Sequence, residues 1–442
     1  MTIRLVKIIF AVVVLAGLVW TFELRKTAPS YSSNNISCGG SVCNVVLIVN
    51  DTLSSRHLGL YGYSRATSPF IDQYFGQGVV FKAASANVPW TLPSFASFFT
   101  SNFPHQINFE NYSDKLSDKF LTFPEVLRSG GVETAGVFVT GINNGIFSRF
   151  DVGNRLGYED PFTFAAAEDW LLRRQFSQKP FFLMIHNRIV HDPYDPPTEY
   201  RSLFGAPAPY PGSVTDSQIV KANEQGLEPG ERQRFIRQYD QEIRYVDDLT
   251  KGFFAAIPEE VLKKTIFILT SDHGEGFGEH RRYSHANSLY GEVLDVPLLI
   301  RGPSLTSRVV SQPVSLIDLA PTIVDIFGLP RPASFRGHSL LPLVNGETLP
   351  EETVRTELAY KIWPDTGFET LTPAIRTTPL KERGYVALRR GDWKLIRNPD
   401  LKLELYNLRS DPLETVNLIE HRGDLSAADS TVVDSLIEGV AP

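Results

Sequence analysis

Three short apolar runs end in side chains that can hold a cation or move a proton. "NVVLIVN" runs into Asp51, "KPFFLMIHN" into the stretch His186 to His191, and "TIFILTS" into Asp272 and His273. In a parallel sheet, functional residues collect just beyond the carboxyl ends of the strands, so these groups can meet at one edge. Two carboxylates and an imidazole brought together there make a cation site, because a bound cation relieves the repulsion between like charges. The plainer alternative is that Asp51 and Asp272 cap the helices that follow. A fourth group is Thr91 in "PWTLPSFASFFTS", just before a helix start with Pro93 in the first turn and Phe95, Phe98 and Phe99 on a buried face. It reads either as a helix cap or as a nucleophilic hydroxyl at a helix N-terminus, where N–H groups and the dipole favour a transferring anion. The run "SDHGEGFGEHRRYSHANSLY" adds His280 and His285 on a glycine-rich loop, and five of the nine histidines fall between 186 and 285.

The elements around these residues read as α/β. Short apolar strands at 44–50, 179–187, 265–271 and 296–301 alternate with helical patterns, the clearest running from Phe235 through Tyr239, Ile243, Val246 and Phe253 at the 3.6-residue period. The expectation is a doubly wound, mostly parallel sheet. Segments 192–232 and 346–384, rich in Pro and Gly, read as long surface loops. "YVALRRGDWKLI" and "LKLELYNL" read as two strands around a turn in a small antiparallel C-terminal subdomain. The division is 1–26 for an N-terminal anchor, 27–43 for a linker, 44–380 for the catalytic domain and 381–442 for the C-terminal subdomain.

Composition narrows the class. The 442 residues carry 43 Lys+Arg against 50 Asp+Glu, a formal net charge of −7 without a basic stripe, which sets nucleic-acid binding aside. With 42% hydrophobic residues the chain is globular rather than disordered. Arg4 and Lys7 precede an apolar run from Ile8 to Trp20, and Leu5 to Phe22 is long enough to span a bilayer as a helix of about 27 Å if Lys7 snorkels. No Ala-x-Ala site follows, and Arg25 and Lys26 come next, so the expectation is a retained signal anchor with the large domain outside the cytoplasm. The alternatives are a cleaved signal and a buried core helix. Cys38 and Cys43 are too few for a disulfide scaffold or a zinc site, and one short-loop disulfide between them is open.

Taken in order, "NVVLIVNDTLSSRHLGLYGY", "PWTLPSFASFFTSNFPHQ", "HNRIVHDPYDPP", "YDQEIRYVDD", "TIFILTSDHGEGFGEH", "SHANSLYGEVLDVPLLIRGP", "VSLIDLAPTIVDIFG" and "GDWKLI" with "ELYNLRSDPLETVNL" resemble the sulfatase-like branch of the alkaline phosphatase superfamily, from 44 to about 420. The resemblance implies a doubly wound α/β domain with a small C-terminal sheet and a divalent metal that binds substrate and activates the nucleophile. Carried over position by position, it makes Asp51, Thr91, Asp272 and His273 metal ligands, Thr91 the nucleophile, and His191 and His285 contacts to the anion or proton donors to the leaving oxygen. It implies no other cofactor, and a partner that is an anionic ester of a lipid, glycan or small molecule.

The departures are chemical. Sulfatases use Cys or Ser, followed by a Pro and an Arg, to make a formylglycine hydrate, whereas this chain reads Thr91, Leu92, Pro93, Ser94, Phe95. Threonine cannot become that aldehyde. Thr is the nucleophile of phosphodiesterase and phosphotransferase relatives, through a phosphothreonine, so phosphate chemistry is expected over sulfate. Thr52 replaces the second acidic residue of the sulfatase Asp pair. No second set of Asp and His ligands is legible, so one metal ion is expected, Mn²⁺, Zn²⁺, Mg²⁺ or Ca²⁺. The expected activity is hydrolysis of a phosphate or sulfate ester. The rivals are transfer of a phosphoglycerol- or phosphoethanolamine-type head group to an envelope lipid or glycan, and a catalytically silent binding protein.

Overall fold

The computed structural model describes residues 36–440 except 39–40, 111–112, 140–144, 152–154, 159–160, 175–176, 178, 206–208 and 359–383. Its centre is an eight-stranded sheet. In chain order the strands are β1 (Asn44–Asn50), β2 (Val79–Phe81), β3 (Glu133–Val139), β4 (Arg155–Tyr158), β5 (Phe181–Asn187), β6 (Thr265–Thr270), β7 (Leu298–Arg301) and β8 (Arg308–Val310). Across the sheet they lie in the order β8, β2, β7, β6, β1, β5, β3, β4. β1 sits between β5 and β6, parallel to both, and only β7 runs against its neighbours.

That one reversed strand has a consequence for the site. A parallel connection would carry the chain to the far end of the sheet before the next strand, usually through a helix. Because β7 is antiparallel to β6, residues 271–297 stay at the carboxyl end of β6. The loop bearing Asp272, His273 and His285 is therefore held over the end of the sheet where Asp51 emerges.

Alternation along the strands divides the core in two. Val45, Leu47 and Val49 of β1 face one layer while Val46 and Ile48 face the other, all without solvent exposure. The first layer contains α1 (Thr91–Thr100), α2 (Phe123–Ser129) and α5 (Leu319–Ile326); the second contains α3 (Phe162–Arg174) and the long α4 (Pro229–Ala256). Phe235, Tyr239, Ile243, Val246 and Phe253 of α4 are buried as their spacing requires, with Ile236 and Leu249 at the margin.

The segment 192–232 is not all loop. It contains a helix, Asp216–Gln225, started by a capping box in which the Thr215 amide donates to Gln218 Oε1 at 3.0 Å. Ile219 and Ala222 anchor that helix to the core. Segment 346–384 likewise supplies a strand, β9 (Val354–Leu358), whose partner begins at Tyr385, while 359–383 lies outside the described residues. "YVALRRGDWKLI" proves to be a hairpin in itself, β10 (Tyr385–Arg390) and β11 (Trp393–Arg397), turning at Gly391 with φ 58°. With β12 (Leu403–Asn407) these make a four-stranded antiparallel sheet. Its Leu388, Leu395 and Leu405 pack on α6 (Ala427–Val440), and Ala387, Ile396 and Tyr406 pack into the core of the main sheet.

Cys38 and Cys43 form a disulfide that closes the short pairing of Ser37–Cys38 with Ser41–Val42. The expected anchor, 1–26, lies outside the described residues. Among the described residues no helix is long and apolar enough to cross a membrane.

Candidate active site

Asp51 follows the last residue of β1, and its amide donates to the Asn187 carbonyl at 2.9 Å, which ties the ends of β1 and β5 together. The next residue, Thr52, takes the left-handed conformation (φ 61°), uncommon for a residue with a branched Cβ. Its hydroxyl donates to Val190 O at 2.9 Å and its amide to Asp272 Oδ1 at 3.3 Å. Tyr239 of α4 clamps the same turn, donating to Thr52 O at 2.7 Å and accepting from the Ser54 amide at 2.9 Å. Thr52, where the family pattern has a second carboxylate, thus holds three strand ends in register.

Asp272 and His273 follow β6. The Asp272 carbonyl accepts from Ser94 Oγ at 2.7 Å, which fixes α1 against it, and Oδ1 accepts from the His273 amide at 3.0 Å. The other oxygen, Oδ2, is buried without a hydrogen-bond partner. His273 Nδ1 is 3.0 Å from Gly274 O; donating there leaves the Nε2 lone pair facing inward, the tautomer of a metal-bound imidazole.

The ligand atoms of Asp51, Asp272 and His273 lie within 4.8 Å of one another, and all three side chains are fully buried. Thr91 opens α1, one position further in than the sequence suggested, with Oγ1 3.3 Å from His273 Nε2 and 3.5 Å from Asp51 Oδ1. So the four residues expected to bind metal do converge. Their ionisation shows strain that a cation would remove. Burial and the Asp51 charge push Asp272 far above the usual carboxylate range, while Asp51, also buried, is held well below it by the His186 hydrogen bond and the histidine charges around it. Burial lowers His273 to about 3, so its imidazole is neutral. An orphaned carboxylate oxygen, two crowded carboxylates and a neutral imidazole fit a divalent cation of the kind that takes oxygen with one nitrogen.

His191 and His285 face each other beside this cluster, ring centroids 4.9 Å apart, and His285 lies 4.5 Å from His273. Against the cost of burial, the Asp192 carboxylate 2.8 Å away raises His191 to about 9 and keeps it protonated at neutral pH. His285 is lowered to about 4 by burial and by the charge of His191, and its Nδ1 lies 3.2 Å from Glu275 Oε1. Ser284 and Ala286 on either side of it have φ of 65° and 61°, so the backbone is bent to aim this ring.

Four neighbours of the site were given no role in the sequence, although His186 and Arg188 lie in the stretch singled out there. Arg188 reaches Asp51 and His191; Asp192 pairs with His191 and accepts from Ser284 Oγ at 2.9 Å; Glu275 receives His285; and His186, wholly buried, sits 3.3 Å from Asp51 Oδ2. Asp192, Glu275 and His285 form a second trio of ligand-type side chains where one set had been expected. His285 Nδ1 meets Glu275 Oε1 directly and Asp192 takes the hydroxyl of Ser284 next to His285, with the His191 and Arg188 cations alongside. His186 alone had a signal, its place in an apolar strand; the others depend on loop contacts. A separate cavity of about 390 Å³ at the junction with the C-terminal sheet is lined by Arg56, Lys82, Arg389 and Lys394 and by none of these residues.

The sulfatase family model matches residues 43–329. The chain belongs to the sulfatase family. Residues 278–436 also match the model for the C-terminal part of N-sulphoglucosamine sulphohydrolase. This sulfatase-family chain is 26% identical to rat arylsulfatase K over 85% of its length and 74% of the relative's. It is 24% identical to the uncharacterized sulfatase YidJ of Escherichia coli K12 over 89% and 86%. Among solved structures it is similar to a 2-O GAG sulfatase (TM-score 0.70, 20% identity, 90% of this chain and 93% of that one). It is also similar to the phosphonate monoester hydrolase of Agrobacterium radiobacter (TM-score 0.72, 17% identity, 90% and 96%), a likeness that shows the fold. The family places the chain among ester hydrolases acting on sulfate or phosphate esters.

At this candidate site, the His191–Asp192 pair gives a pH signature. A raised histidine is protonated below its shifted value and loses the proton as pH rises through it. Asp192→Asn removes the carboxylate that raises His191, so the alkaline limb of kcat/KM is expected to move down by about 1–2 pH units. Initial rates from pH 6 to 10 measure it; an unmoved limb would assign that titration to another group.

Proposed function

We propose that this chain hydrolyses an anionic ester with Thr91 as the nucleophile, and that the ester is a phosphate rather than a sulfate. The observation that carries the reading is Thr91 Oγ1 at the start of α1, beside Asp51 and His273, in a sequence where no formylglycine can form. Asp51, Asp272, His273 and Thr91 would hold one divalent ion, which when bound lowers the pKa of the Thr91 hydroxyl and neutralises charge on the ester oxygens. Thr91 Oγ1, its proton passed to solvent, attacks phosphorus, the bond to the leaving oxygen breaks, and a phosphothreonine forms. The free N–H groups of the first turn of α1 face the developing charge. His191, protonated through Asp192, donates to the departing oxygen; His285, neutral and oriented by Glu275, accepts the proton of the water that then cleaves the phosphothreonine.

The relatives' names support an anionic ester at the coarser level of sulfate or phosphate chemistry, since the curated relatives are named sulfatases and the structural neighbours include enzymes named for sulfate and for phosphonate esters. The test is turnover of chromogenic phosphate monoester, phosphate diester and sulfate ester by residues 36–442 with each candidate cation. Thr91-dependent release from a phosphate ester is the expected result, and diversion of product by added glycerol would show transfer. Sulfate release that outpaces every phosphate ester would overturn the preference.

We further infer an extracytoplasmic location, from the apolar run Ile8 to Trp20 and the disulfide between Cys38 and Cys43. The full chain is expected to sediment with membranes and to remain there after a carbonate wash. Release into the soluble fraction counts against an anchor.

A further inference from the structure

We propose that Arg188 is the cation that grips a non-bridging oxygen of the substrate anion. This rests on the reading of the site as an ester hydrolase and names the residue that recognises its substrate's charge.

Position 95 cannot supply a charge. Phe95 is fully buried, packed among Phe98, Phe99 and Phe147, with its ring centroid 4.8 Å from that of His186. It braces the imidazole that touches Asp51. Two residues after His186, the chain leaves β5 and Arg188 turns back over the same carboxylate, its Nε 3.5 Å from Asp51 Oδ2. Its Nη2 lies 3.1 Å from both ring nitrogens of His191. The guanidinium thus stands beside both the candidate ion's ligand Asp51 and the candidate proton donor His191, the two groups that an ester bound for this reaction would lie against.

Access separates it from the other charged groups of the site. About a third of the Arg188 side chain is open (34%), against none for Asp51 and 12% for His191. A planar, permanently charged fork matches the oxygens of a tetrahedral anion better than any other side chain does.

Inorganic phosphate and sulfate are the probes. Their affinity for the metal-loaded protein is measured by calorimetry for the unmodified chain, Arg188→Gln and Arg188→Lys, alongside metal content per chain and thermal stability. The expected result for Arg188→Gln is unchanged metal content with anion affinity at least about tenfold weaker, KM raised and kcat lowered. Arg188→Lys should recover part of the loss, and it reports on charge even where the Gln variant folds poorly. Affinity within twofold of the unmodified chain, or loss only in step with loss of metal, would overturn the proposal. If Thr91-dependent turnover persists with Arg188→Gln unaffected, the Arg188 assignment falls alone. If the unmodified chain binds neither anion and cleaves no ester, the hydrolase reading falls with it.

Discussion

Thr91→Ala is expected to lower kcat/KM by about 10³-fold or more, while Thr91→Ser stays within about 100-fold. The asymmetry follows from what the side chain supplies. Oγ1 is the atom 3.3 Å from His273 Nε2 and 3.5 Å from Asp51 Oδ1, and serine keeps it with one methyl fewer. Alanine removes the only hydroxyl that α1 presents at its first residue. The backbone N–H groups of that turn remain, so residual catalysis from charge stabilisation is expected above the uncatalysed rate. Fold is a poor alternative explanation, because Thr91 is half-buried and its substitution should change stability by less than about 1 kcal/mol. Rates, melting temperature and trapping of a phosphothreonine by acid quench decide it. Equal activity in the Ala variant would remove Thr91 from the chemistry.

Asp272→Asn should have opposite effects with and without metal. Two like charges within 4.8 Å of each other repel by at least about 3 kcal/mol at an effective dielectric of 20, and burial with Asp51 drives Asp272 well above its unfolded pKa. An acid raised on folding binds its proton more tightly in the native state, so metal-free stability falls as pH rises from the unfolded value of about 3.9 towards the folded one. Asn keeps the oxygen that accepts from the Thr52 and His273 amides and removes the charge. The metal-free Asn variant is therefore expected to be as stable as the unmodified chain or more so, by up to a few kcal/mol at neutral pH. With a divalent cation the ranking reverses. The unmodified chain gains stability as RT ln(1 + [L]/Kd) and releases about one proton on binding, whereas the variant gains little and releases none. Melting curves with and without metal, and the buffer dependence of the binding heat, measure both. Proton release that persists in the variant would show that Asp272 was already ionised.

Most of what could be read in the chain was local. Buried β-branched runs marked β1, β5 and β6, and the polar residues just past each run were the ones to inspect. The helix at Thr91 announced itself through Pro93 and the phenylalanine spacing. β9 was invisible because its partner β10 lies beyond a long intervening segment, and a strand's pairing is a property of two segments. The first C-terminal run was read as one strand because Gly391 sits within an otherwise continuous β pattern; φ 58° at that glycine makes it a hairpin.

By itself, then, the sequence determined the layered α/β architecture, because short buried runs with a fixed period set it, whereas Asp51, Thr91, Asp272 and His273 were singled out as one set by the resemblance of the ordered motifs to the sulfatase-like family. Only the tertiary structure decided which groups surround them. Arg188 meets Asp51 across more than 130 positions of chain and Thr52 meets Asp272 across 220. Those distances in sequence are closed by sheet order, by the antiparallel return of β7 and by the clamp from Tyr239. Charge and ionisation at the site arise from burial and proximity, and both come into being only when the strands have paired.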